Sequence, residues 1–361
     1  GNAWVGGRND GRLTQIISDA SSCPDTNLNG TIDTSAGANL VNSTANYLAD
    51  ECVVYSKVLN PQQPSIRGVA VDPAGKIWVG YSIDGAGNGG VQSVVPNNNY
   101  AESVRYPIVN VPEYKPDANG NLVATGALLS DDQVYGIAID ANGYLYAAVW
   151  SWAGIARFNT NTLTWDAFYT GLSCGPYGIT VDGYNRAWAG CWNGDGGIAM
   201  VDSTNNKAYS FRVPANVGTP AVGTTLPIGT AASHVKWNSS AITIEPVSGD
   251  AYVTFTNGFI GRLMLDLVDP MLSQYTFLSG VRDPANTANR MANTGTGDMR
   301  GVGFDSDGFL WHLGIPTANI LKFDVTNNTY LRMISVGDGG HYTYSDFTGS
   351  ASVYTVTVTP T

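Results

Sequence analysis

Asp25, Asn27, Asn29 and Asp33 stand in the stretch CPDTNLNGTID, residues 23–33. The first three alternate along one loop, and an oxygen-bearing side chain at every second residue turns its oxygens toward one point. Such a point attracts a hard cation: calcium takes six to eight oxygens from carboxylates, amides and backbone carbonyls. Gly30 supplies the backbone freedom for a sharp turn, the Thr31 carbonyl belongs to the same ligand set, and Ile32 anchors the loop on apolar neighbours. Asp50 and Glu51 immediately precede Cys52, and Cys23 stands at the head of the loop. A Cys23–Cys52 bridge returns one of those acids to the ion, Glu51 first because of its longer reach. The alternative is an Asn- and Gly-rich turn without an ion, since the same residues serve turns.

The loop resembles the first half of an EF-hand or dockerin-type calcium loop. It departs from that family at the twelfth position, which is Ala36 where the family places a bidentate glutamate, and no helical pattern flanks it. The resemblance implies one structural Ca2+, held by the side chains of Asp25, Asn27, Asn29, Asp33 and Glu51 and by the Thr31 carbonyl.

Catalytic chemistry is harder to find. There is no G-x-S-x-G elbow and no H-E-x-x-H helix. The three histidines are His234, His312 and His341. His312, in FLWHLG, reads as a packed strand residue; the other two lie in loops.

The elements that carry these residues come from a repeat. IRGVAVDPAGKIWV (66–79), VYGIAIDANGYLYA (134–147), PYGITVDGYNRAWA (176–189) and MRGVGFDSDGFLWH (299–312) share one template, with a weaker copy, SAITIEPVSGDAYV, at 240–253. Alternating apolar residues mark a strand, the Asp-x-x-Gly turn closes a hairpin, and two further strand-like segments usually follow. Four short antiparallel strands per repeat make a propeller blade. The chain begins within the template and ends in strand-like YSDFTGSASVYTVTV, so the N- and C-terminal strands are expected to share a sixth blade and close the ring. The prediction is an all-β, six-bladed β-propeller of four-stranded antiparallel blades, one domain over 1–361, with the calcium loop as an insertion at 18–60.

The template resembles NHL-repeat and streptogramin-lyase-like six-bladed propellers. That resemblance implies the fold over nearly the whole chain. It also implies, for the lyases, a histidine near a Glu-x-His motif acting with magnesium on an ester-linked ring. None of the three histidines here lies in Glu-x-His, so the fold carries over without the lyase chemistry. A lactonase-like site would draw on Glu245 and Asp298.

Within the template, the residue before each glycine enters the innermost strand near the mouth of the central channel. Those residues are Arg67, Tyr135, Tyr177 and Arg300, with Asp131, Asp132 and Asp298 just upstream and Tyr344 and Asp346 in the comparable part of the last blade. Aromatic and charged groups in that position orient a polar ligand such as a sugar; alternatively, they pair with one another and hold the ring. Asp72, Asp140, Asp182 and Asp305 recur at the strand-to-turn junction and read as structural. Trp78, Trp188 and Trp311 recur at one position and read as packing between blades. Trp150, Trp152 and Trp192 follow second strands and are better placed to stack on a ligand.

The 361 residues carry a net charge of −11 with only 18 Lys and Arg. Phosphate binding needs a basic face, so a nucleic acid partner is excluded, and no apolar stretch is long enough to insert in a membrane. Four cysteines allow three pairings, of which the local one, Cys23–Cys52 with Cys174–Cys191, is favoured by proximity; bridging implies an oxidising compartment. The sequence therefore reads as a secreted or cell-surface propeller stabilised by calcium, a binding or adhesion module for a carbohydrate or surface protein. The alternatives are a lyase- or lactonase-like enzyme with altered site residues and a structural subunit of an extracellular assembly.

Overall fold

The computed structural model describes residues 2–8, 10–34, 49–59, 65–81, 89–130, 133–150, 153–215, 225–256, 258–278, 299–314 and 319–335. Six small sheets form the six blades of a β-propeller. Blade 1 holds Ala3–Gly6 (β1), Arg12–Ile16 (β2) and Val53–Val58 (β3). Blade 2 holds Ile66–Val71 (β4), Ile77–Tyr81 (β5) and Gly90–Val95 (β6), with the short Ala101–Glu102 (β7) and Tyr106–Pro107 (β8) both paired to β6. Val111–Pro116 (β9) and Leu122–Leu129 (β10) precede blade 3, which holds Val134–Ile139 (β11), Tyr144–Val149 (β12), Gly154–Asn159 (β13) and Thr164–Tyr169 (β14). Blade 4 holds Cys174–Val181 (β15), Ala187–Gly194 (β16), Ile198–Asp202 (β17) and Lys207–Phe211 (β18). Thr225–Pro227 (β19) joins Ser239–Ile244 (β20), Ala251–Phe255 (β21), Ile260–Met264 (β22) and Gln274–Leu278 (β23) in blade 5. Met299–Phe304 (β24), Leu310–Gly314 (β25), Asn319–Asp324 (β26) and Thr329–Ser335 (β27) make blade 6.

The repeated aspartate builds each hairpin. Asp182 Oδ1 accepts the N–H groups of Tyr184 and Arg186 at 2.9 and 3.0 Å, and its Oδ2 accepts the Trp188 indole N–H at 2.8 Å. Asp72 treats Ala74, Lys76 and Trp78 in the same way, and Asp305 treats Asp307, Phe309 and Trp311. One carboxylate thus fixes the turn and aims the tryptophan at the next blade. Trp78 packs there with Val134, Leu145 and Phe158, and Trp188 with Ile242 and Val253.

The innermost strands β4, β11, β15, β20 and β24 lie side by side around the axis, each against the next. That approach explains the template glycine. A Cβ on Gly68 would stand 2.7 Å from the Ile137 nitrogen, and one on Gly178 2.5 Å from the Ser240 carbonyl oxygen. Real Cβ atoms do not come so close to backbone, so only glycine lets adjacent blades meet.

The blades are less uniform than the template predicts. Among the described residues they carry three to six strands, and one contact is parallel: β14 pairs with β9 at Phe168↔Glu113 and Tyr169↔Tyr114. The long connection from blade 2 thus lays a hairpin over an exposed sheet edge, which would otherwise present unpaired backbone groups. Blade 5 is extended likewise by β19 on β23. The expected union of both chain ends in one blade falls on residues 336–361, outside the described residues. Among the described residues, no helix is long and apolar enough to cross a membrane.

Candidate functional site

Two regions bring chemistry-bearing side chains together. The first is the connection from β2 to β3 in blade 1. Asp25 Oδ1 accepts Asn29 N–H at 3.1 Å and Oδ2 accepts Gly30 N–H at 2.8 Å; Asn27 Oδ1 accepts Asn29 N–H and Asn29 Oδ1 accepts Thr31 N–H, at 2.9 and 2.8 Å. The two amide nitrogens, Asn27 Nδ2 and Asn29 Nδ2, both donate to Asp33 Oδ2 at 2.9 Å. Asp25, Asn27, Asn29 and Asp33 therefore close one polar ring, with Gly30 at φ +84° making the turn and no atom in contact range of a Cβ there.

Glu51 reaches this loop from the far side. Its Oε1 accepts Thr26 N–H at 2.6 Å, Thr26 O–H at 2.8 Å and Asn27 N–H at 3.2 Å, and its Oε2 accepts Asp33 N–H at 2.8 Å. The Glu51 N–H donates in turn to the Asp33 carbonyl at 2.9 Å. Glu51 is 3% exposed, and these bonds, that of Asp33 N–H foremost, hold its carboxyl below the usual glutamate range. The structure thus brings the acid chosen from the sequence to the loop, with its oxygens turned to backbone N–H groups. Asp50 Oδ1 accepts Cys52 N–H at 3.0 Å.

A cation fits the ring chemically. An amide oxygen has two lone pairs: Asn27 Oδ1 accepts the Asn29 N–H and keeps one for a cation, whereas Asn29 Oδ1 accepts both the N–H and the O–H of Thr31, at 2.8 and 2.7 Å, so the Thr31 hydroxyl must rotate away to free it. Two N–H donors already converge on one oxygen of Asp33, a position in which positive charge is stabilised. Among the described residues, no three His, Cys, Asp or Glu side chains gather as a metal cluster; a bound ion would rest on the two carboxylates of Asp25 and Asp33, the two amides and the Thr31 carbonyl.

Both local disulfides are present. Cys23–Cys52 and Cys174–Cys191 have Cα separations of 4.8 and 4.9 Å. The first ties the loop to Glu51; the second clamps β15 to β16 beside Trp192. Two bridges point to an oxidising environment.

The second region is the channel mouth at the start of the innermost strands. The Arg67 guanidinium of blade 2 lies over Tyr135 of blade 3, 4.3 Å from the ring centre. Tyr135 stacks on Trp150 at 5.1 Å and meets Tyr177 of blade 4 at 4.9 Å. Tyr177 meets Trp192 at 5.3 Å, and the Arg300 guanidinium, from blade 6, lies 3.8 Å from the Trp192 ring centre and 5.1 Å from that of Tyr177. Four residues chosen from the template, with two tryptophans chosen from their places after second strands, therefore form one continuous arc. Tyr135, Trp150 and Trp192 are half-buried; Arg67, Tyr177 and Arg300 are buried. Asp131, Asp132, Trp152, Asp298, Tyr344 and Asp346 lie outside the described residues.

The described histidines are engaged or enclosed. His234 Nδ1 lies 3.1 Å from the Thr230 carbonyl, and Nε2 lies 3.4 Å from Asp195 Oδ1. Asp195 also accepts Arg212 Nε–H at 2.7 Å, while Arg212 donates to Ser173 Oγ at 2.9 Å. Sequence reasoning missed this cluster, because its members come from four connecting segments separated in sequence. His312 is fully buried, and His341 lies outside the described residues. Glu245 serves the turn of blade 5, accepting Ser248 N–H.

No protein-family model and no curated protein matches the chain. Solved structures do. A catalytically inactive virginiamycin B lyase from Staphylococcus aureus, with quinupristin, is 16% identical over 80% of this chain and 75% of its own, with a TM-score of 0.52. A streptogramin B lyase is 15% identical over 78% and 72%, at 0.50. A chain of a nidogen/laminin complex is 10% identical over 94% and 95%, at 0.51. At these identities the likeness is one of fold, and it extends to an enzyme and to a chain crystallised in a protein complex.

Proposed function

We propose that this propeller is a binding or adhesion module of the extracellular space or cell surface, and that it presents the arc at its channel mouth to a carbohydrate or a surface protein. The observation that carries this reading is the unbroken run Arg67–Tyr135–Trp150–Tyr177–Trp192–Arg300 on one face. Aromatic rings offer large, stiff surfaces to the C–H faces of a sugar or to apolar side chains. The planar guanidiniums of Arg67 and Arg300 stack on these rings and extend the surface with positive charge. The two disulfides support the compartment, and the nidogen/laminin neighbour supports a protein partner for such a fold.

Calcium belongs to this proposal as a structural ion. Asp25, Asn27, Asn29, Asp33 and the Thr31 carbonyl would hold it, with Glu51 backing the loop. The β2–β3 connection has few apolar residues to bury, so an ion supplies the organisation a core would give. With two carboxylates in the set, the affinity expected is that of extracellular modules, about 10⁻⁴–10⁻³ M.

The test is an array of glycans and extracellular-matrix proteins probed with the wild type and a Trp150→Ala/Trp192→Ala variant. Saturable binding that the double variant loses supports the reading; binding that the variant retains, or none at all, overturns it.

A further inference from the structure

We infer that Glu51 is a positioning residue for the calcium loop and that the Cys23–Cys52 bridge delivers it, so that the loop takes calcium more tightly in the oxidised protein than in the reduced one. This rests on the calcium reading above and adds a condition to it.

The geometry divides the region into two halves that meet only through space. One half is the polar ring of residues 25–33. The other is Asp50–Cys52, which leads into β3. Glu51 joins them by accepting the N–H groups of Thr26, Asn27 and Asp33 and the Thr26 hydroxyl, and by donating its own N–H to the Asp33 carbonyl. These bonds clamp the loop at its first residues and at Asp33, its last proposed ligand. They fix the backbone on which Asp25, Asn27 and Asn29 stand and the place of Asp33 opposite them. Glu51 acts through that backbone, with Oε1 already accepting three donors.

The bridge makes the clamp local. Cys52 is the neighbour of Glu51, and Cys23 stands two residues before Asp25; their Cα atoms are 4.8 Å apart although 29 positions separate them in sequence. With the bridge closed, Glu51 meets the loop as an intramolecular partner at high effective concentration. With it open, Thr26 and Glu51 are joined only through the 25 positions of sequence between them, and effective concentration falls by about an order of magnitude as a tether lengthens. The chemistry balances simply. A dithiol reductant supplies two electrons and two protons, the Sγ–Sγ bond breaks to give two thiols, and the reductant leaves as its own disulfide.

The experiment is a calorimetric titration with calcium chloride of the full chain, after removal of bound calcium with a chelator. Four proteins are compared: oxidised wild type, Cys23→Ser/Cys52→Ser, Glu51→Gln with its bridge intact, and Cys174→Ser/Cys191→Ser, which lacks the blade 4 bridge. Circular dichroism and urea unfolding confirm that each keeps its blades. The expected result is one calcium in the wild type and the Cys174→Ser/Cys191→Ser variant, and a Kd weaker by about tenfold or more in the other two. A wild type that binds no calcium sinks the calcium reading itself. A wild type that binds, beside variants lacking the bridge or Glu51 that bind within threefold of it, overturns this inference alone. Glu51→Gln keeps the covalent tie, so it decides the role of the side chain even if the bridge-free variant loses its fold.

Discussion

His312 gives the sharpest test of how this ring responds to acid. It lies in the middle of β25, fully buried, opposite Val302 of β24 and Leu321 of β26. Among the described residues, neither ring nitrogen has a hydrogen-bond partner. Burial away from water disfavours the charged imidazolium and pushes the pKa from 6.5 down to about 4. In the unfolded chain the ring keeps its ordinary value. Between those two pH values the unfolded chain binds a proton that the folded protein refuses, so stability falls as pH falls. Each pH unit of that window costs about 1.4 kcal/mol, and about 3 kcal/mol is lost across the whole of it. The assay is urea unfolding of the wild type and His312→Leu at several pH values from about 7 to about 4. Carboxylates titrate in both proteins and cancel in the difference. The wild type should lose about 3 kcal/mol more than the variant over this range. If the two curves fall in parallel, the histidine is not held neutral by burial and the reasoning is wrong.

Three further outcomes follow from the packing. Gly178→Ala should cost about 1–3 kcal/mol in urea unfolding, because its Cβ would meet the Ser240 carbonyl oxygen at 2.5 Å, whereas Gly183→Ala, with nothing within 4 Å, should be far milder. Asp182→Ala strands the buried Arg186, whose Nε–H bonds it at 2.6 Å, and the Trp188 indole, so a loss of about 3–5 kcal/mol is expected in the same assay. Cys174→Ser/Cys191→Ser opens a bridge spanning 17 positions and should cost about 3 kcal/mol by thermal unfolding.

Much of the fold was legible because the template repeats physical requirements that are local. The Asp-x-x-Gly turn, the alternation of β4, β11, β15 and β24, and the tryptophan six residues after the aspartate each follow from bonds within one hairpin. Even the weak copy at 240–253 formed a blade, since β20 and β21 keep the alternation although Glu245 replaces the aspartate. The additions to the blades were not legible. The parallel contact of β14 with β9 joins residues more than 50 positions apart, and nothing in VPEYKP announces which edge it will cover. The arc was legible position by position, because each member precedes a template glycine or follows a second strand. Its continuity was not: Arg300 meets Trp192 from two blades away, across the curvature of the ring. For the calcium loop, the sequence shows which residues alternate and which acid is near in space once the bridge forms. It does not show that Glu51 spends its oxygens on backbone N–H groups, which depends on the path of the chain around Thr26 and Asp33.

The central claim, that the arc is a ligand-binding surface, is tested most directly by the indole N–H signals of the tryptophans in a ¹H–¹⁵N spectrum, titrated with the strongest ligand from the array. The indole N–H groups of Trp78, Trp188 and Trp311 are held by Asp72, Asp182 and Asp305, and their signals should stay in place. The signals of Trp150 and Trp192 should move together and saturate at one ligand per chain. Saturation that leaves Trp150 and Trp192 unmoved would contradict the account, and would send the search for the binding surface elsewhere on the ring.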